Sequence, residues 1–150
     1  MPLNIVLFEP EIPNNTGNIG RLALASGSNL HLVKPFGFEI DDTRLKRAGL
    51  DYWQHLNLHY YENIEDFFNK NKGSNMVFLS SHGNQEYWDI PYKDDLFLIF
   101  GKESVGLPKS INDNHSDKLY KIPIYNDEVR SLNLANAVSI VVYEGLRQIH

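Results

Sequence analysis

The sequence contains no cysteine, no long apolar run and no excess of basic residues. Without cysteine, the chain can form neither disulfides nor thiolate metal sites. No apolar run approaches the ~20 residues that a membrane-spanning helix needs, so we predict no membrane segment. The 14 Lys and Arg are outnumbered by 19 Asp and Glu, which gives a formal net charge of −5. This balance disfavours a protein that coats long stretches of nucleic acid, because such binding depends on cation–phosphate contacts.

The amino-terminal stretch "MPLNIVLFEPEIP" lacks the basic start of a signal peptide and contains acids early. We therefore expect a cytoplasmic protein. The length of 150 residues, with 42% hydrophobic and 22% charged residues, is typical of a folded globular chain. It predicts one domain over residues 1–150 with a single sizeable core.

Several signatures of common enzyme classes are missing or incomplete. The chain has no GxGxxG, which disfavours a dinucleotide-binding turn. The stretch "GKESVGLP" at 101–108 has the glycine spacing of a P-loop but lacks the Lys-Ser/Thr pair, which makes an NTPase improbable. The absence of GxSxG counts weakly against an α/β-hydrolase.

The sequence does show apolar runs alternating with helical patterns. The alternation predicts an α/β fold with a mainly parallel sheet flanked by helices. The runs read as strands cover residues 3–8, 30–34, 56–61, 76–81, 96–101 and 119–124, and the predicted helices cover 16–26, 42–48, 63–71 and 132–148. In such a sheet, ligands bind on the loops beyond the carboxyl ends of the strands.

Three of these loops carry polar residues suited to binding. In "NNTGNIGR" at 14–21, cap-type residues precede a predicted helix whose exposed N–H groups could meet an anion, and Arg21 could add a forked contact. Gly101 would let a backbone approach a flat ligand closely. Ser131 and Asn133 supply neutral hydrogen-bonding groups at the start of the last helix. Taken singly, each residue is also explained by capping or surface polarity.

Histidines and basic residues offer further candidates. His55 and His59 have a metal-ligand spacing for a helix, but the alternating leucines favour a strand, on which the two rings need not converge. His82 follows a predicted strand and is either a general base or a loop cap. A cluster formed by Arg44, Lys46 and Arg47 is either a solvated helix face or a nucleic-acid contact.

The last predicted helix is apolar on more than one face, and its valines, alanines and isoleucine cover most of its circumference. One face can pack on the sheet while the other needs a partner, which indicates a homodimer. A helix sunk deeply into its own subunit explains the same pattern.

Taken together and in this order, three segments resemble the SPOUT (SpoU-type) RNA 2′-O-ribose methyltransferases. The segments are "NIVLFEPEIPNNTGNIGRL", "FGKESVGLP" and "IPIYNDEVRSLNLANAVSIVVYE". Together with "DDTRLKRAGLDYW", they are most similar to the small single-domain members that act on the wobble nucleotide of tRNA. The resemblance implies a deep trefoil knot near the carboxyl terminus, a homodimer with active sites near its interface, and S-adenosylmethionine as the cofactor.

The resemblance also assigns roles to residues of this chain. Asn15, Arg21, Glu103, Ser131 and Asn133 match the family's active-site positions. The matching cofactor positions are Leu79, Gly101, Ile122 and Ser131. The implied substrate is the 2′-hydroxyl of nucleotide 34, cytidine or a modified uridine, in the anticodon stem-loop of tRNA-Leu isoacceptors. Arg44, Lys46 and Arg47 are then expected to help Arg21 bind the tRNA.

The implied reaction needs positioning of the hydroxyl and partial removal of its proton, and it needs no metal. Within the family, the arginine is often described as the base. Because a guanidinium keeps its proton in proteins, we favour a bidentate grip of Arg21 on the target phosphate. Two other functions stay open: methylation of another tRNA or rRNA site, and a catalytically silent RNA-binding homologue.

Overall fold

The computed structural model describes residues 2–39, 43, 47 and 52–150. The predicted α/β fold is confirmed as a seven-stranded sheet in the order β3-β2-β1-β6-β4-β7-β5. All the strand pairs are parallel. The strands are β1 Asn4–Phe8, β2 Asn29–Val33, β3 Leu58–Tyr61, β4 Met76–Leu79, β5 Gln85–Glu86, β6 Phe97–Phe100 and β7 Leu119–Lys121. The helices are α1 Pro13–Ser26, α2 Ile64–Lys70, α3 Lys109–Asn114 and α4 Leu134–Ile149.

The sheet is buried on both faces, which explains why its central strands are continuous apolar runs. Every residue of β1 and β6 is buried. Ile5 and Leu7 face a core that includes Ile19 of α1 and Val138 of α4, whereas Val6 and Phe8 face a second core. Successive side chains of a strand point to opposite faces, so one uninterrupted run supplies both cores.

The predicted elements are present with somewhat different limits. Five of the six predicted strands are shorter than predicted, and β2 keeps its predicted length but begins one residue earlier, at Asn29. Helix α1 begins at Pro13, before its predicted start. Its N-cap residue is Ile12, which makes no side-chain capping bond, so the prediction that residues 14–16 cap this helix is wrong. Proline suits the first helical position because its missing N–H needs no partner there. Most of the helix predicted at 42–48 lies outside the described residues, although Thr43 and Arg47 are helical.

Hydrogen-bonded polar side chains lie near the amino-terminal ends of β1 and β2. Asn4 Oδ1 accepts from Asn29 Nδ2 at 2.9 Å and pairs with His31 Nε2 at 2.9 Å. The other ring nitrogen of His31 bonds the Tyr61 hydroxyl at 2.8 Å. His59 lies in β3, as its alternation predicts, and stacks on His31 with ring centroids 4.5 Å apart. Burial and the neighbouring His59 lower the pKa of His31 to about 3, so the ring stays neutral.

The strand order brings four loops together at the opposite edge. Strand β6 lies between β1 and β4, and β7 is the other neighbour of β4. The loops that follow these strands therefore meet beyond their carboxyl ends. The loop after β4 packs closely on β7, because a Cβ on Gly83 of this loop would lie 2.8 Å from the carbonyl carbon of Tyr120. None of the described helices is long and apolar enough to cross a membrane.

Candidate functional site

A cavity of about 530 Å³ opens where these loops meet. Its volume lies within the range of small-molecule sites. The cavity wall includes all of the predicted cofactor residues and most of the predicted catalytic ones, namely Leu79, Gly101, Ile122, Ser131, Asn15, Glu103 and Asn133. These residues are far apart in the sequence, and the sheet order brings them to one site.

Glu103 joins the loop after β6 to the start of α1. Its Oε1 accepts from the backbone N–H of Glu11 at 2.8 Å, and its Oε2 accepts from the N–H of Ile12 at 3.0 Å. Oε2 also accepts from Asn15 Nδ2 at 3.3 Å. The anion predicted at this helix terminus is thus available from within the chain. A carboxylate is favourable there because it meets unpaired N–H groups and the positive end of the helix dipole.

Glu11 makes the reciprocal contact. Its Oε1 accepts from the backbone N–H of Ser104 at 2.8 Å. The hydrogen bonds from Ser104 lower the pKa of the Glu11 carboxyl. Each loop therefore supplies a carboxylate that binds backbone N–H groups of the other, and the two loops are held in one relative position.

Asn15 and Asn133 connect α1 to the start of α4. Asn133 Nδ2 donates to Asn15 Oδ1 at 3.0 Å, while Asn133 Oδ1 accepts from the N–H of Asn136 at 3.2 Å. Asn133 is therefore a helix cap and also lines the cavity, so its capping role does not exclude the predicted binding role. Ser131, two residues earlier, is exposed and lines the cavity.

Gly101 is required for a reason that the sequence did not indicate. A Cβ at this position would lie 2.1 Å from the carbonyl carbon of Gly106 and 2.2 Å from the backbone nitrogen of Leu107. The loop folds back on itself there, and Gly106 N donates to Lys102 O at 2.9 Å. The close approach that we expected from a ligand is made by the protein's own backbone.

Asn112 is a cavity residue that the sequence did not single out. Its Oδ1 is buried and has no hydrogen-bond partner among the described residues. It lies in α3, a helix of 6 residues whose weak periodicity left no signal. A buried acceptor without a partner is costly, so this oxygen fits a ligand that brings an N–H donor.

Arg21 has a different environment from the other predicted residues. It is exposed on α1, and it is not among the described residues that line the cavity. Its guanidinium carbon lies 4.8 Å from the centroid of the Tyr52 ring, which is a cation–π contact. Two cations that the sequence did not single out, Lys102 and Arg130, do line the cavity, as does His82.

Of the predicted basic cluster, Arg44 and Lys46 lie outside the described residues. Arg47 is helical and exposed, as a nucleic-acid contact and a solvated face both require.

Comparison with known proteins gives consistent matches. The model of the SpoU rRNA Methylase family matches residues 2–143. The Escherichia coli K12 tRNA (cytidine(34)-2′-O)-methyltransferase is 44% identical over 148 residues, which cover 98% of this chain and 94% of that protein. A solved structure described as giving insights into 2-OH methylation of C/U34 on tRNA is 40% identical, with a TM-score of 0.93 and coverage of 97% of this chain and 95% of the other.

An AdoMet-bound rRNA methyltransferase from Sinorhizobium meliloti is also similar, at 27% identity and a TM-score of 0.87. The match covers 99% of this chain and 57% of that one.

Proposed function

Because this chain belongs to the SpoU rRNA Methylase family, we propose that it transfers a methyl group from S-adenosylmethionine to the ribose 2′-hydroxyl of nucleotide 34 in tRNA. The proposal rests on one observation: residues of all three sequence motifs line the same cavity. The similarity to the E. coli enzyme over 98% of this chain supports the choice of nucleotide 34. We extend it to cytidine or modified uridine in tRNA-Leu, on the resemblance alone.

The residues of the cavity fit the cofactor. Leu79, Phe100, Tyr120 and Ile122 supply apolar surface suited to a flat base. The unpartnered Oδ1 of Asn112 suits an exocyclic amino group. When bound, S-adenosylmethionine supplies a sulfonium-activated methyl group, so the proposed transfer needs no metal ion.

Glu103 and Asn133 in the cavity wall hold other parts of the site in place. The oxygens of Glu103 already accept three hydrogen bonds from the start of α1, so this carboxylate is a poor candidate for the base. Its role is to fix α1 against the loop after β6. The bond between Asn133 and Asn15 fixes the same helix against α4. Catalysis by positioning requires such rigidity, because small misplacements of reacting groups cost large factors in rate.

Arg21 serves the substrate. Its exposed guanidinium can bind a phosphate of the target nucleotide bidentately and stabilise charge that develops on the 2′-oxygen. The proton then leaves through a phosphate oxygen or water. His82 is the alternative acceptor, because it is the one histidine among the described cavity residues.

The substrate presents unstacked bases and phosphates in the anticodon stem-loop, and RNA loops are recognised through both. Arg44, Lys46 and Arg47 are the proposed additional phosphate contacts. Replacing all three by alanine is expected to weaken tRNA binding and to flatten its salt dependence. An unchanged slope in a plot of log Kd against log salt concentration would remove the cluster from the binding surface.

We also propose a homodimer. In α4, Val138, Val141 and Val142 are buried within the chain, while Ile140 and Tyr143 are 36% and 49% exposed. The helix therefore keeps a second apolar surface that its own subunit does not cover. We further infer the trefoil knot of the family and a cytoplasmic location, where tRNA is available.

The test is methylation of tRNA from cells that lack this enzyme, with labelled S-adenosylmethionine and the purified protein, followed by nucleotide mapping. We expect a 2′-O-methyl group at position 34, and no product with Arg21→Ala. His82→Gln tests the alternative proton acceptor: loss of transfer in this variant would assign the proton to His82, and full activity would leave it with a phosphate oxygen or water. A product at another tRNA or rRNA position would favour the alternative substrate, a methylated base would overturn the reaction class, and binding without transfer would indicate a silent homologue.

A further inference from the structure

We propose that Tyr52 is a positioning residue that holds the guanidinium of Arg21 in place and leaves its N–H donors free for RNA. This inference rests on the proposed function, which gives Arg21 its part in phosphate binding. Tyr52 is not among the described residues that line the cavity.

The contact itself is the first observation. The guanidinium carbon of Arg21 lies 4.8 Å from the centroid of the Tyr52 ring, inside the ~6 Å limit for attraction between a cation and an aromatic face. Arg21 is exposed, and Tyr52 is 36% exposed. An exposed arginine without such a contact loses substantial side-chain entropy when it is ordered by a ligand. A ring that orders it beforehand removes part of this cost.

The kind of partner matters as much as its presence. Within residues 2–39 and 52–150, the ion pairs involve cations other than Arg21. A carboxylate would occupy the guanidinium fork and neutralise the charge that a phosphate needs. An aromatic face attracts the same group through its flat side and uses none of the five N–H donors. Tyr52 is therefore suited to hold an arginine whose donors are meant for a substrate.

The neighbouring residue Trp53 helps to place the Tyr52 ring beside α1. Trp53 lies so close to α1 that a Cβ on Gly20 would be 2.8 Å from its ring atom Cζ3. Trp53 also packs against the core that includes Ile19 of α1. Gly20 directly precedes Arg21, so the contact that anchors Trp53 sets the distance between Tyr52 and the arginine.

The experiment compares Tyr52→Leu, which removes the ring, with Tyr52→Phe, which keeps it. Both are assayed for kcat, for KM of tRNA, for binding of S-adenosylmethionine, and for thermal unfolding. Trp88→Leu removes a comparably exposed ring, 43% exposed, from the opposite end of the sheet and is the matched control.

We expect Tyr52→Leu to lower kcat/KM for tRNA roughly two- to fivefold, the range of an exposed cation–π contact, with cofactor binding unchanged and Tm lowered by no more than about 4 °C. Tyr52→Phe and Trp88→Leu should match the wild type. In an Arg21→Ala background, Tyr52→Leu should change the Kd for tRNA by less than about 1.5-fold, because residues that act through each other are not additive.

Two results would overturn the inference. Wild-type kinetics in Tyr52→Leu would show that the ring contributes nothing. If adding Tyr52→Leu to Arg21→Ala weakens tRNA binding as much as Tyr52→Leu weakens it in the wild type, then Tyr52 contacts RNA independently of Arg21. Failure of the proposed function looks different, because the wild-type protein itself would then transfer no methyl group to a tRNA ribose.

Discussion

Replacing Glu103 by glutamine tests whether this residue joins two loops or takes part in the chemistry. Glutamine has almost the same shape, but it carries one oxygen and one NH2 group in place of two oxygens. The carboxylate of Glu103 meets N–H groups only: those of Glu11 and Ile12 and the side-chain amide of Asn15. In either orientation of the new amide, its NH2 group faces a donor, and at least one N–H loses its acceptor.

The cost can be worked out from these contacts. A buried donor left without an acceptor costs about 1–3 kcal/mol. Loss of the negative charge at the amino terminus of α1 adds about 0.3–1 kcal/mol. Glu103 is only half-buried, so water can replace part of the lost bonding. We therefore expect Glu103→Gln to lower the free energy of unfolding by about 2 kcal/mol, which corresponds to a Tm lower by roughly 4–8 °C for a chain of this size.

The assay is thermal unfolding followed by circular dichroism, with methyl transfer measured well below the transition. Glu11→Gln is the matched control, because Glu11 Oε1 accepts from the single N–H of Ser104 at an exposed site, and its effect on Tm should be smaller. A Glu103→Gln protein that keeps its Tm within about 1 °C but loses about a hundredfold in kcat would refute the positional role. That result would make Glu103 a participant in proton transfer.

Three further predictions concern stability and assembly. The pKa of His31 is lowered to about 3 in the folded chain from an ordinary value of 6.5, so between these values only the unfolded chain binds this proton. The free energy of unfolding should therefore fall by about 2 kcal/mol from pH 7 to pH 5. Urea unfolding of His31→Gln should show a flatter pH dependence. Gly20→Ala should destabilise the fold by about 1–3 kcal/mol, because its Cβ would meet the Trp53 ring at 2.8 Å, whereas a mild effect would show that the ring moves easily. Tyr143→Asp should convert the proposed dimer to monomer in light scattering, and an unchanged mass would exclude this face of α4 from the interface.

The sequence predicted most of the sheet, because strands buried on both faces are continuous apolar runs that need no knowledge of their neighbours. It missed β5, whose 2 residues are Gln85 and Glu86, and it missed the short α3. Elements this short carry no periodicity, and long-range contacts decide whether they form. The start of α1 was predicted wrongly for a related reason, since its N–H groups are bonded by Glu103 from a distant loop in place of a local cap.

The candidate site divides in the same way. The sequence could single out the loops that contain "NNTGNIGR", "FGKESVGLP" and the last motif, because polar groups and glycines at strand ends are local features. Taken singly, these residues were equally well explained by capping, and the resemblance of the three motifs together supplied their proposed roles. The tertiary structure alone decided that Glu103 joins two loops, that Gly101 is needed for a fold-back of the backbone, and that Arg21 lies on Tyr52. These facts depend on β6 lying between β1 and β4 and on how segments distant in the sequence pack together. Such pairings follow from the burial of the whole chain, and no short stretch of residues encodes them.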